Sequence, residues 1–256
     1  MAGDLHGQHA LVTGAGQGIG EAIARQLLAR GARVTVLGRR AEPLRKLVDE
    51  FPGQCRMELA DVSSESEVEA AFSQAASALG TIDILVNNAG QAQSAPFMKM
   101  DLTLWQNMLA VNLTGAMLCI QQVLPAMVAA GRGRIVNVAS TAGLKGYAYV
   151  AAYCAAKHGV VGLTRALALE LASKGVTVNA VCPGYTETEI VRESIARVVA
   201  KTGRTPEQAM AEFVKGNPQG RLVQPQEVAD AVLWLCGPGA GAITGQAIAV
   251  AGGEVM

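Results

Sequence analysis

Short runs rich in Val, Ile and Leu alternate with longer stretches of helical period along nearly the whole chain. Ala10–Thr13, Arg33–Leu37, Gln54–Leu59, Ile82–Val86, Val176–Val181 and Ala247–Val250 read as strands, and Arg134–Ser140 as a further one ending in a hydroxyl. Such runs lack strict alternation, which marks strands covered on both faces, as in a parallel sheet. Between them, Glu21–Arg30, Pro43–Glu50, a stretch opened by Ser63 and Ser64, Trp105–Ala130, Tyr153–Leu171 and Glu227–Leu235 read as helices. This alternation predicts an α/β fold with a doubly wound parallel sheet and helices on both faces. Only residues 185–220 break the rhythm, with a helix over Glu187–Lys201, a turn at Thr202–Pro206 and a second helix up to Lys215. Two helices inserted at the carboxyl ends of strands are well placed to form a substrate lid, with Ile190, Val191, Phe213 and Val214 as its apolar lining.

Composition narrows the class. The 256 residues are 50% hydrophobic and 16% charged, enough for one large core without staples, so residues 1–256 are expected to form a single domain. Lys plus Arg and Asp plus Glu both number 21, which leaves no basic surplus to attract nucleic acid. Five cysteines, at positions 55, 119, 154, 182 and 236, form no C-x-x-C pair. That usage suits small buried thiols in a reducing compartment, hence the cytoplasm, with neither disulfides nor a metal site. The amino-terminal segment carries no cationic-then-apolar pattern, and no uninterrupted apolar run reaches bilayer length, so no membrane partner is expected.

The first strand runs into Gly14-Ala-Gly16-Gln17-Gly18-Ile19-Gly20, immediately before a helix. A glycine-rich strand-to-helix turn lets backbone amides approach a diphosphate at the positive helix end. The strict G-x-G-x-x-G spacing is absent; T-G-x-x-x-G-x-G stands instead. The second strand ends at Gly38-Arg39-Arg40, where dinucleotide folds place either an acid for a free ribose or Arg for a 2′-phosphate. With no acid there and two cations, NADP(H) is favoured over NAD(H). Asp61, followed by Val62, ends the third strand and either accepts from an adenine amine or caps the next helix. Asn87-Asn88-Ala89-Gly90 ends the fourth, where small residues permit close approach of a ribose and side-chain amides brace neighbouring strands.

The chemistry centres on Tyr153-Cys-Ala-Ala-Lys157. A four-residue step in a helix puts the phenol and the ammonium on one face. Bringing a phenol from a pKa of about 10 to about 7 takes roughly 4 kcal/mol. One ammonium at about 4 Å supplies that much at an effective dielectric of about 20, so Lys157 is expected to lower the Tyr153 pKa. Tyr147 and Tyr149 have no lysine at the same step. Ser140, at a strand's carboxyl end, is placed to hydrogen-bond a substrate oxygen beside Tyr153. Asn112 sits on an otherwise apolar helix and needs a partner, either a structural one or a water near Tyr153 and Lys157.

Taken together, Thr13-Gly14-x-x-x-Gly18-x-Gly20, Asp61, Asn87-Asn88-Ala89-Gly90, Asn112, Ser140, Tyr153-x-x-x-Lys157 and Pro183-Gly184-x-x-x-Thr188 resemble the short-chain dehydrogenase/reductase family over nearly the whole chain. The resemblance implies a Rossmann-type domain with sheet order 3-2-1-4-5-6-7, a catalytic tetrad of Asn112, Ser140, Tyr153 and Lys157, and a nicotinamide cofactor. It implies a cofactor site of Gly14, Gln17, Gly18, Ile19, Gly20, Arg39, Arg40, Asp61, Val62, Asn88, Ala89, Gly90, Tyr153, Lys157, Pro183, Gly184, Thr186 and Thr188. Gln17 departs from the basic residue that many NADP-dependent members carry there, and Thr186 from a commonly apolar one. The second half looks most like bacterial ketoacyl reductases and aromatic-polyketide ketoreductases, in Lys157–Thr164, Asn179–Gly184 and Arg221-x-x-x-Pro225-x-Glu227. The implied substrate is a 3-oxoacyl thioester, with a cyclic or polyketide ketone as the alternative and a non-catalytic cofactor-binding protein as a remoter one. Arg192, Arg197, Lys201 and Arg204 on the lid are candidates to meet phosphates of coenzyme A or a carrier arm. Family members also commonly assemble as homotetramers.

Overall fold

The computed structural model describes residues 5–256, with the side chains of Ile190 and Lys201 left undescribed; the first four residues of the amino-terminal segment lie outside it. The chain opens with β1 (His9–Thr13), α1 (Gly18–Ala29), β2 (Arg33–Gly38), α2 (Ala41–Glu50), β3 (Cys55–Leu59) and α3 (Glu65–Leu79). There follow β4 (Ile84–Asn87), α4 (Leu102–Leu109), α5 (Gly115–Ala130), β5 (Gly133–Val138), α6 (Ala151–Leu171) and β6 (Val176–Pro183). The helical pair α7 (Glu189–Thr202) and α8 (Pro206–Val214) then precedes α9 (Pro225–Cys236) and β7 (Ala247–Val250).

All seven strands join one parallel sheet in the order β3-β2-β1-β4-β5-β6-β7. The order reverses between β1 and β4, and the crevice at that switch point is where such sheets bind ligands. Two apolar layers hold the sheet from opposite sides. Ile23, Leu27, Val228 and Leu235 pack on one face with Val12 and Val36, while Phe72, Ile120, Val123 and Met127 pack on the other with Leu11 and Leu85. Neighbouring strand residues point to opposite faces, which is why Leu11 and Val12 serve different layers.

The helix expected over Trp105–Ala130 begins earlier and is interrupted. Asp101 caps α4 by accepting from Leu104 N, and residues Ala110–Thr114 widen into a π turn before α5 resumes. Among the described residues the span Leu102–Ala130 is the one helix long and apolar enough by mean hydropathy to cross a membrane, although Asn112, Thr114, Gln121 and Gln122 interrupt its apolar stretches. Its apolar side is a core side, since Leu118, Cys119, Ile120, Val123 and Met127 are buried while Gln121 and Gln122 face outward.

Candidate active site

The crevice is built around the turn from β1 to α1. Gly14 adopts φ +65°, and a Cβ there would stand 2.8 Å from Ala89 Cα. At Gly20 the fit is tighter still, because a Cβ would meet Gly14 O at 2.3 Å and Asn88 Nδ2 at 2.4 Å. The Thr13 hydroxyl fixes this approach by accepting from Asn88 N and Ala89 N, both at 3.0 Å. Asn88 Nδ2 returns two bonds, to Thr13 O at 3.0 Å and Gly14 O at 3.1 Å. No side chain caps the amino end of α1, so its first-turn amides remain available to an anion.

Two cations line the crevice from the end of β2. Arg40 donates to Gln17 Oε1, and Arg39 pairs with Asp61 at 3.5 Å. Asp61 is otherwise occupied, accepting through Oδ1 from Ser63 N at 2.9 Å and Ser63 Oγ at 2.7 Å. These bonds, with Arg39, hold its carboxyl below the usual range despite partial burial. Ser64 rather than Asp61 occupies the N-cap position of α3.

On the other side of the crevice, Ser140 follows β5 in extended backbone and its hydroxyl accepts from Ala142 N at 3.1 Å. The same hydroxyl acts on the Tyr153 phenol, drawing its pKa down against the effect of burial. Lys157, one turn further along α6, donates from Nζ to Val138 O at 2.8 Å and lies 5.7 Å from the Tyr153 ring centroid. Burial dominates both groups. It pushes Tyr153 up to about 12, against the Ser140 bond, and brings Lys157 down to about 8. The expected lowering of Tyr153 by Lys157 is not what the structure gives: the ammonium is anchored to a main-chain carbonyl, and desolvation of the phenolate is the largest influence on the phenol.

Asn112 sits in the π turn and is buried. Its Nδ2 donates to Gln91 O at 2.9 Å and Met108 O at 3.0 Å, and its Oδ1 accepts from Gln91 N at 3.3 Å. The structural partner expected for this amide is thus the loop after β4. Gly90 lies between Asn112 and Lys157: a Cβ would stand 2.8 Å from Asn112 Oδ1 and 3.6 Å from Lys157 Nζ. A π turn re-aims one side chain without ending the helix, and it recurs at functional sites.

A cavity of about 410 Å³ joins these parts. Every residue proposed from the sequence for catalysis or cofactor binding lines it except Asp61 and Val62; Val62 is instead buried against Gly115. Thr186, Thr188 and Val191 line it from the start of the helical pair, and Phe213 from α8. The helical cations do not: Arg192 pairs with Glu187 at 3.2 Å, Arg204 with Glu212 at 3.2 Å, and Arg197 bonds Ser194 Oγ. Ile190 and Lys201 fall outside the described side chains.

Phe213, expected from the sequence as lid lining, lines the cavity, but the aromatic wall it completes is not marked in the sequence. Tyr147 and Tyr185 line the cavity with Phe213, edge to face at centroid distances of 6.3 Å and 5.0 Å. In a chain that is 4% aromatic, three rings in one wall were a signal, although only the fold brings them together. Thr13, part of the glycine motif, ties that turn to the end of β4 and so belongs to the site as well. Tyr149, which has no lysine at the four-residue step, is exposed with φ +68°, and its carbonyl accepts from Ala95 N.

Residues 8–198 match the family model described as short chain dehydrogenase. The chain belongs to that family. A protein of Streptomyces coelicolor provisionally named a ketoacyl reductase is 44% identical over 252 residues, covering 95% of each chain. The 3-oxoacyl-[acyl-carrier-protein] reductase of Aquifex aeolicus is 37% identical over 97% of this chain and 98% of its own. Among solved structures, a variant of actinorhodin polyketide ketoreductase with NADPH matches at a TM-score of 0.93 and 43% identity over 99% of each chain. As a family member the chain is a nicotinamide-dependent oxidoreductase that interconverts a ketone and a secondary alcohol.

Proposed function

We propose that the whole chain, residues 1–256, is one catalytic domain in which Ser140, Tyr153 and Lys157 act on a ketone held beneath the helical lid 185–220. The observation that supports it best is that these three side chains share one cavity with the braced glycine turn. The turn fits a dinucleotide, because the space a Cβ would fill at Gly14 and Gly20 and the uncapped start of α1 suit a diphosphate. A reduced nicotinamide supplies hydride to the carbonyl carbon. Ser140 hydrogen-bonds the carbonyl oxygen, and Tyr153, protonated at neutral pH by burial, donates the proton to it. The buried Lys157 ammonium favours the phenolate that remains, and Asn112 positions a relay water through the remaining lone pair of Oδ1. Tyr153→Phe should bind NADPH normally and lose about 10²- to 10⁴-fold in kcat. Near-normal turnover would remove Tyr153 from this role.

The cofactor reading is NADP(H) over NAD(H). Arg39 and Arg40 line the cavity, no acid stands at Gly38, and Gln17 steers Arg40 onto the glycine turn, which supplies a cation where other members carry a basic residue. The exposed Arg39–Asp61 pair is worth about 0 to 1 kcal/mol and yields readily to a phosphate. Titration of nicotinamide fluorescence should show tighter NADPH than NADH binding, and equal affinities would contradict the assignment.

For substrate we favour a 3-oxoacyl thioester, in keeping with the named activities of the relatives. The aromatic wall supports the second reading, a cyclic or polyketide ketone, because flat rings pack on flat rings. A cytoplasmic location agrees with five free, buried cysteines.

A further inference from the structure

The aromatic wall is held from behind by the last residues of the chain. Glu254 follows β7, and its side chain is only 4% exposed although it carries a carboxylate. Tyr147 Oη lies 2.6 Å from Glu254 Oε1 and 2.7 Å from Thr141 Oγ1. The phenol has one proton. A carboxylate only accepts, so that proton goes to Glu254 and the Thr141 hydroxyl donates to the phenol oxygen. Lys145 Nζ completes the cluster at 3.1 Å from Oε1 and lies 5.0 Å from the Tyr147 centroid. Glycines make room for the carboxylate: a Cβ at Gly184 would stand 3.0 Å from Oε2, and one at Gly216 3.1 Å from Oε1. One side chain therefore touches the loop before α6, the end of β6 and the end of α8. With its hydroxyl engaged on both sides, Tyr147 offers the cavity its ring rather than its phenol. Tyr185 packs on that ring and Phe213 on Tyr185, so the orientation of Tyr147 passes to the lid.

We propose that Glu254 is a positioning residue for substrate selection: by fixing Tyr147 it holds the Tyr147–Tyr185–Phe213 wall as a rigid face, on which the binding of a ketone carrying a flat or bicyclic ring depends more than that of a linear one. The proposal rests on the ketone-reducing reading above. A linear acyl chain adapts to a loosened wall, whereas a rigid ring loses its packing partner, so disturbing Glu254 changes selectivity rather than chemistry. The test compares NADPH consumption with trans-1-decalone and with acetoacetyl-coenzyme A in wild type, Glu254→Ala and Glu254→Gln. Glu254→Ala should lower the decalone-to-acetoacetyl kcat/KM ratio by about tenfold, through KM, with NADPH affinity unchanged. Glu254→Gln keeps an acceptor for Tyr147 and should recover most of that ratio. An unchanged ratio, or equal losses on both ketones, would overturn the proposal. Amide hydrogen exchange gives a readout independent of turnover. Glu254→Ala should speed exchange in residues 145–150 and 184–217 and leave residues 14–20 as in wild type. Unchanged exchange in those two segments would overturn the proposal, whereas a wild type that reduces neither ketone, with Glu254→Ala still showing the faster exchange, faults the reaction assignment alone.

Discussion

Tyr153 and Lys157 show how burial acts oppositely on an acid and a base. Lys157 has its pKa brought from 10.5 to about 8. In the unfolded chain it stays protonated up to the higher value. Between about pH 8 and 10.5 the unfolded state therefore binds more protons, and the contribution of this group to stability rises with pH, as the buried charge is discharged in the fold. The reaction moves the other way. Tyr153, at about 12, keeps its proton over this window, so the group that titrates is the ammonium. The kcat/KM for ketone reduction, which reports free-enzyme groups, should be level below about pH 8 and decline above it. A decline centred near 10 would show that Lys157 is not the titrating group. The pairing itself was legible, because a four-residue step on a helix fixes two side chains to one face. The direction of the tyrosine shift was not. It depends on the Val138 carbonyl that anchors Nζ and on the depth of the phenol, neither of which spacing encodes.

At the scale of elements, the strands were legible to within a few residues because runs apolar on both faces leave little choice. Helix starts were less so. The pattern placed the first helix from Glu21, whereas α1 starts at Gly18, since a glycine-rich start carries no apolar periodicity. The π turn was hidden for a related reason: one extra residue in a helix leaves the apolar positions of α5 on the core side and shifts only what precedes them. Asn112 gave the hint, as a polar amide among apolar neighbours, and its bonds to Gln91 show what the hint meant. The β1–α1 turn makes the sharpest prediction at this scale. A methyl at Gly20 would collide with main-chain Gly14 O and with Asn88 Nδ2, so backbone must move. Gly20→Ala should weaken NADPH binding by more than about tenfold, read by fluorescence titration, while the far-ultraviolet circular dichroism stays close to that of wild type.

For the whole molecule, the parallel sheet followed from the strand–helix rhythm and its strand order from the family resemblance, and the observed topology agrees with both. The contacts that close the substrate end were out of reach of the sequence. Tyr147 and Glu254 are 107 residues apart, and nothing local marks a carboxylate near the end of the chain as a partner for a phenol. Assembly belongs to this scale as well. Leu169 on α6 is 83% exposed, Trp234 on α9 52% and Val128 on α5 37%, and apolar side chains at those levels favour cover by further copies of the chain. Light scattering at micromolar concentration should return a tetramer, and Leu169→Glu should shift it to smaller species. A monomeric wild type would refute that reading.

The Thr13 hydroxyl, with its two accepted amide bonds, also bears on the rate at which the dinucleotide is captured. A loose phosphate-binding loop gives up conformational freedom when its ligand arrives, at about 1 to 2 kcal/mol for each residue that must be ordered. Here Asn88 and Thr13 fasten the turn to the end of β4 during folding, so that ordering is complete before any ligand is met. Capture then resembles docking onto a finished surface, in a single kinetic phase whose rate grows in proportion to ligand concentration without a plateau from loop rearrangement.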